Sequence, residues 1–215
     1  MKKIGVIGSG VVGQVLADGF LKHGYEVMRG TRDLAKLADW KGKAGAKGST
    51  GTMAEAAKFG DAVVLAVKGS AALDVVKACG TGLDGKPVLD ATNPIADDKP
   101  PVKGVLRFFT DLDQSLMEQL QAAAPAAHFV KCFSSVGNVS MINPDFGGPK
   151  PSMFICGNDA GAKEQTKKIL DQFGWSTEDM GAVEAARAIE PLCMLWCIPG
   201  LSGGKWDHAF HLLRK

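Results

Sequence analysis

Gly8, Gly10 and Gly13 stand in G-x-G-x-x-G spacing between two segments of different periodicity, and no other feature constrains the chain as strongly. Before them, Lys3-Ile4-Gly5-Val6-Ile7 is short, apolar and rich in β-branched residues, as a strand buried on both faces would be. After them, Val11 to Lys22 places Val12, Leu16, Gly19 and Phe20 near one face of a helix. Strand, tight turn and helix in this order form a phosphate cradle. Gly8 permits the turn, Gly10 lets backbone approach a pyrophosphate, and Gly13 lets the helix pack closely on the sheet. The free amides near Ser9, Gly10, Val11 and Val12 would hold the phosphates, helped by the helix dipole.

The same alternation continues downstream. Gly24 stops the first helix, Tyr25 to Arg29 reads as a second strand, and Asp33 to Trp40 as a charged helical piece. Ala44 to Lys47 reads as a short third strand, followed by a helix from Thr52 to Lys58 in which Thr52 and Glu55 fit a capping box. Ala62 to Val67 is the clearest buried strand, Ser70 caps a helix running through Cys79, and Lys86 to Ala91 supplies another strand. A helix over Ser115 to Ala124 and a sixth strand over Ala127 to Cys132 complete the series. The pattern predicts an α/β fold, a Rossmann-type doubly wound parallel sheet. Beyond the loop Asn143 to Pro151, strands over Ser152–Cys156 and Trp175–Met180 flank a helix over Asp159–Phe173. A long helix from Ala182 to Cys197 ends before Pro199. The expected division is a dinucleotide-binding domain over 1–135 and a small C-terminal α/β extension over 136–215, serving substrate binding and dimerisation. Gly200 to Gly204 would let the tail Trp206 to Leu213 fold back on the core or across to a second subunit.

Composition narrows the class. With 46% hydrophobic and 22% charged residues, the chain can bury a real core. Its net charge is +2 and its Lys and Arg are scattered, which gives no nucleic-acid footprint. No apolar run approaches the roughly 18 to 20 residues that cross a membrane. The N-terminus enters a strand at once, without the order of a signal peptide, so a cytoplasmic location is the expectation. Five cysteines, at 79, 132, 156, 193 and 197, form no CxxC pair and suit reduced thiols. Cys193 and Cys197 with His208 and His211 have spacings that zinc can use, but apolar neighbours favour core packing, and no metal is expected.

The nucleotide is read from the end of the second strand, Arg29-Gly30-Thr31-Arg32. NAD sites place an acid there, roughly 20 positions after the glycines, to accept the ribose hydroxyls. Glu26 lies mid-strand rather than at the strand's tip, whereas Thr31, Arg32 and Lys36 suit a 2′-phosphate. NADP(H) is therefore the expected cofactor.

Taken with GSGVVG and Gly30-Thr31-Arg32, several further motifs in order resemble the coenzyme F420-dependent NADP oxidoreductases. These are DAVVLAVKGS at 61–70, DATNPI at 90–95, KCFSSVGNVSMINP at 131–144 and ARAIEPLCMLW at 186–196. The oxidoreductase domain of the STEAP metalloreductases is a relative of that family. The resemblance implies hydride transfer between NADPH and F420, or a flavin-like acceptor such as FMN, in a homodimer. It places Ser9, Val11 and Val12 at the pyrophosphate and Thr31, Arg32 and Lys36 at the 2′-phosphate. Val67 and Lys68 fall beside the ribose, and Asn93 and Pro94 near the nicotinamide. Ser134, Ser135, Val136 and Met141 become substrate-pocket candidates. Ser134-Ser135 depart from the Asn-Thr often seen there in the family, which bears on the acceptor.

Hydride transfer between stacked rings needs distance, orientation and dryness rather than a side-chain acid or base, so no catalytic residue is assigned. Two alternatives stay open. A small carbonyl or imine substrate would need a proton donor, with Lys68 and Lys131 as weak candidates. An NADPH-binding sensor or partner subunit would need no chemistry at all.

Overall fold

A computed structural model describes residues 1–215. One sheet holds β1 (Lys3–Ile7), β2 (Glu26–Gly30), β3 (Gly48–Gly51), β4 (Ala62–Leu65), β5 (Pro87–Asp90) and β6 (His128–Lys131). All are parallel, in the order β3-β2-β1-β4-β5-β6. This is the doubly wound order, with the strand sequence reversing between β1 and β4.

Alternate strand residues feed two apolar layers. Ile4, Val6, Val27, Val64, Leu89 and Val130 pack with Leu16 and Phe20 of α1 (Val11–Lys22) and with Ile169 and Leu170 of α6 (Ala160–Gln172). Ile7, Val63, Leu65, Val88 and Phe129 face the other way. They meet α3 (Met53–Phe59), α4 (Gly69–Cys79), α5 (Leu116–Ala123) and α7 (Ala186–Gly203). A short α2 (Ala38–Lys43) flanks β3, and its Trp40 joins the first layer.

Beyond residue 135, β7 (Ser152–Ile155) and β8 (Ser176–Asp179) form a parallel pair. The Lys131 N–H donates to Cys156 O at 3.0 Å, setting this pair antiparallel beside β6. Met153, Ile155, Phe173 and Trp175 are buried in the same layer as Ile4 and Val6. The tail folds back onto its own chain. The Ser152 N–H donates to Phe210 O at 2.8 Å, and the Leu212 N–H to Ser152 Oγ at 2.9 Å.

Several boundaries depart from the sequence reading. The third strand is Gly48–Gly51 rather than 44–47, because pairing along the free edge of β2, with Val27 opposite Gly48, outweighs local propensity. The segment expected as a helix over 33–40 begins as a 3-10 turn, Leu34–Leu37, capped by Asp33, before α2 starts. Lys68, not Ser70, is the N-cap of α4, and the Ser70 hydroxyl donates to Asp97 Oδ2 at 2.5 Å. The last helix begins at Ala186, after a 3-10 turn at Val183–Ala185, and runs through Pro191 and Pro199 to Gly203. Burial of Ile189, Cys193, Trp196 and Gly200, all on one face, offsets the hydrogen bonds that the two prolines remove.

Candidate dinucleotide site

The glycine turn joins β1 to α1 at the sheet's reversal point. Gly8 holds φ +138°, and a Cβ there would collide with the Ala66 carbonyl. A Cβ on Gly13 would lie 2.7 Å from Gly8 O, so the helix approaches the strand only because none is present. At Gly10 a Cβ would meet nothing within 4 Å; it would project into open space. Gly10 is also the N-cap of α1 and supplies no side-chain bond, so the first amides of the helix, including those of Val11 and Val12, have no partner within it.

A crevice of about 340 Å³ opens beside this turn. It brings together Gly8, Ser9, Gly10, Thr31, Arg32, Lys36, Val67 and Lys68, with Met53, Ala71 and Val75 as apolar walls. Arg32 and Lys36 are exposed, and no carboxylate is among the residues lining the crevice. Thr31 is buried at the end of β2, its Oγ1 accepting from the Asp33 N–H at 3.3 Å. Lys68 pairs with Asp97 at 2.9 Å across the next loop. A roomier hollow of about 470 Å³, with Glu118, His128 and Asp159 among its walls, lies where β6 begins. That is the opposite edge from the one where open parallel sheets bind ligands.

The rim continues along the strand ends. A Cβ on Gly69 would strike Asn93 O, so the α4 N-terminus rests on the Asn93-Pro94 turn. Asn93 Nδ2 donates to Ser134 O at 2.8 Å, and Pro94 O accepts from the Phe109 N–H at 2.9 Å. Ser134, Ser135, Val136 and Met141 are all buried. They do not line the crevice with the glycine turn. Val136 and Met141 pack in the layer of Ile4 and Leu16, and Trp175 Nε1 donates to Met141 O at 2.9 Å; next to them, Trp196 of α7 presses on Gly137 at 2.8 Å from its ideal Cβ and stacks on His208, ring centres 5.1 Å apart. Phe133, which opens this segment, sits in the left-handed region at φ +57°.

Three charged residues occupy strand ends that the apolar pattern would keep hydrophobic: Arg29, Asp90 and Lys131. All are buried. Lys131 Nζ lies 2.6 Å from Asp90 and 2.9 Å from Glu190 of α7, and donates to Thr92 O at 3.0 Å. Burial alone would lower the Lys131 pKa, but the two carboxylates more than reverse this and hold it above the ordinary lysine value. Glu190 also accepts the Leu116 and Met117 N–H groups at 3.0 Å, which satisfies the start of α5. Asp90 accepts from the Thr92 N–H at 2.9 Å, so the network fixes the turn carrying Asn93. Lys131 is thus an anchor, not the proton donor that a carbonyl substrate would need. The sequence carried a signal for Arg29, Asp90 and Lys131, since a charge at the end of a buried strand demands a partner. Glu190 had none, because only folding brings α7 to β6. Of the cysteines, burial pushes Cys79 up to about 11 and Cys156 up to about 12, so these thiols stay protonated at neutral pH.

A parallel sheet of this order with a glycine-turn crevice at its reversal point defines a Rossmann-type dinucleotide-binding protein. Residues 3–94 match the family model for NADP oxidoreductase, coenzyme F420-dependent. Over 146 residues the chain is 30% identical to the F420-dependent NADP reductase of Methanocaldococcus jannaschii, covering 66% of this chain and 62% of that protein. It is 25% identical over 206 residues to the metalloreductase STEAP3 of Rattus norvegicus, covering 93% of this chain and 38% of that one. The crystal structure of a putative F420-dependent NADP-reductase from Arthrobacter sp. FB24 superposes with a TM-score of 0.91 at 29% identity, with both chains fully covered. Along its length the chain resembles the F420-dependent NADP oxidoreductases. It spans less than two thirds of the length of the two curated relatives.

Proposed function

We propose that the chain is an NADP-dependent oxidoreductase that moves hydride between NADPH and a flat redox acceptor, coenzyme F420 or a flavin such as FMN. One observation carries this reading. Thr31, Arg32 and Lys36 line the same crevice as the glycine turn, and no carboxylate lines it. A 2′-phosphate meets two unpaired cations and a hydroxyl there, whereas a site for NAD would offer an acid.

When bound, the nicotinamide supplies or takes the hydride; the protein's part is binding, orientation and exclusion of water. The amides of Ser9, Val11 and Val12 hold the pyrophosphate. Val67 and Lys68 flank the ribose, which directs the nicotinamide along the rim toward Asn93 and Pro94. The Asn93 bond to Ser134 then ties that end to the segment Ser134 to Met141, beside which the acceptor ring would stack. Lys131 is held by two carboxylates, which weakens the carbonyl or imine alternative. The exposed Lys68 is the remaining candidate donor.

The test follows NADPH absorbance after mixing purified protein with F420, and separately with FMN. Stoichiometric reduction of F420 alone supports the deazaflavin acceptor, and oxidation by FMN alone moves the assignment to flavin. Tight NADPH binding with neither acceptor reduced would overturn the F420 or flavin reading in favour of a sensor, a partner subunit or a different substrate such as a small carbonyl or imine.

A further inference from the structure

Arg29 sits directly behind the glycine turn and is 1% exposed. Its Nη2 donates to Gly8 O at 3.0 Å and to Gly10 O at 3.2 Å. The guanidinium lies over the Trp40 ring, 5.2 Å from its centre, and the Trp40 indole N–H is held by Asp18 Oδ1 at 2.7 Å. Arg29 forms no ion pair, and its Nε is buried without a partner. Burial lowers the Arg29 pKa, and the charge of Asp18, itself engaged by the indole, only opposes this. A buried cation without a paired anion is costly, so its retention here calls for a compensating role.

The geometry supplies one. In a planar trans peptide, the carbonyl and the following N–H point in opposite directions. With the Gly8 carbonyl turned inward onto the guanidinium, and the Gly10 carbonyl shared between it and the Gln14 N–H at 3.0 Å, the Ser9 and Val11 N–H groups are turned outward, on the side where Ser9 and Gly10 line the crevice. Hydrogen bonding at each carbonyl also polarises its peptide and strengthens the N–H as a donor. The cation itself acts through protein rather than water, where its field on a nearby anion is less screened.

We infer that Arg29 is a positioning residue for pyrophosphate: it presets the Ser9 and Val11 amides toward the phosphates, and its unpaired charge is balanced when they bind. This rests on the dinucleotide reading above and extends it to a residue that does not line the crevice. It separates two subsites by mechanism. Arg29 serves the diphosphate, while Thr31, Arg32 and Lys36 serve the 2′-phosphate.

The experiment compares ADP, which carries the diphosphate, with 2′-AMP, which carries only the 2′-phosphate, by calorimetric titration of wild type, Arg29→Met and Arg29→Lys. Arg29→Met is expected to bind ADP about ten-fold more weakly or worse, as loss of a charge-assisted bond pair implies, with 2′-AMP within about two-fold of wild type. Arg29→Lys keeps the cation but loses the fork, and should recover part of the ADP affinity. NADPH and NADH should weaken by the same factor. Unchanged ADP affinity in Arg29→Met would overturn the inference, and so would equal weakening of both probes, which signals general softening. If Arg29→Met fails to fold, Arg29→Lys decides alone: selective loss of ADP supports the inference, and parity with wild type overturns it. A wild-type protein that binds neither probe would overturn the dinucleotide reading itself, and this inference with it.

Discussion

Lys131 Nζ lies 2.9 Å from Glu190 Oε1, with neither side chain more than 2% exposed, and this contact ties the last helix to the last strand of the main sheet. With Asp90, the cluster carries two negative charges and one positive, and the Leu116 and Met117 amides share the excess. Lys131→Met would leave two carboxylates buried and facing each other. We expect a loss of about 3–5 kcal/mol in a denaturant titration at pH 8. Two like charges facing each other without a cation repel, and binding a proton relieves that repulsion, so part of the loss is recovered as pH falls. The stability gap to wild type should be smaller at pH 5 than at pH 8; a constant gap would refute the network.

Glu118 is held down to about 2, chiefly by the Arg187 guanidinium 2.6 Å away, with Ser115 adding hydrogen bonds. A carboxyl depressed in the folded state contributes stability that is present above its unfolded value and lost as pH falls through the folded one. Arg187→Ala should therefore lower Tm measurably at pH 6 and by less near pH 2, where wild type has lost the same contribution. Tm measured across this range checks the sign.

Arg32→Ala should weaken NADPH binding by about ten-fold or more and leave NADH nearly unchanged, because an exposed cation facing the 2′-phosphate has nothing to hold in NADH. Equal losses for the two cofactors, read by fluorescence titration, would remove the 2′-phosphate assignment.

Gly10 and Gly13 should respond in opposite ways to the same added methyl. In Gly10→Ala the Cβ enters open space, so Tm should stay near wild type while NADPH affinity falls steeply. In Gly13→Ala the Cβ meets Gly8 O at 2.7 Å, so the fold itself should lose about 1–3 kcal/mol. Paired melting and binding curves separate the two effects.

Much of the architecture was legible in the chain because the signals are local. The strand-to-helix turn at Gly8–Gly13, the capping box at Thr52/Glu55 and the buried run from Ala62 each depend on near neighbours in sequence. Misreadings fell where partners are distant. β3 owes its register to the edge of β2, and α7 continues through two prolines because its inner face is buried. Among the site residues, Thr31, Arg32 and Lys36 were legible as chemistry at a strand end. Arg29 was legible only as a strand charge in need of a partner, and Glu190 not at all, because each does its work on atoms 19 to 74 positions away.

By itself, then, the sequence determined the alternation that makes a doubly wound sheet and the glycine spacing that makes a phosphate turn. Periodicity and backbone sterics are written into neighbouring residues. Only the tertiary structure decided that Arg29 braces the turn from behind, that Lys131 is locked between Asp90 and Glu190, and that the tail returns to β7. Buried charges find their partners across the fold, and which partner each one meets is set by packing geometry rather than by spacing along the chain.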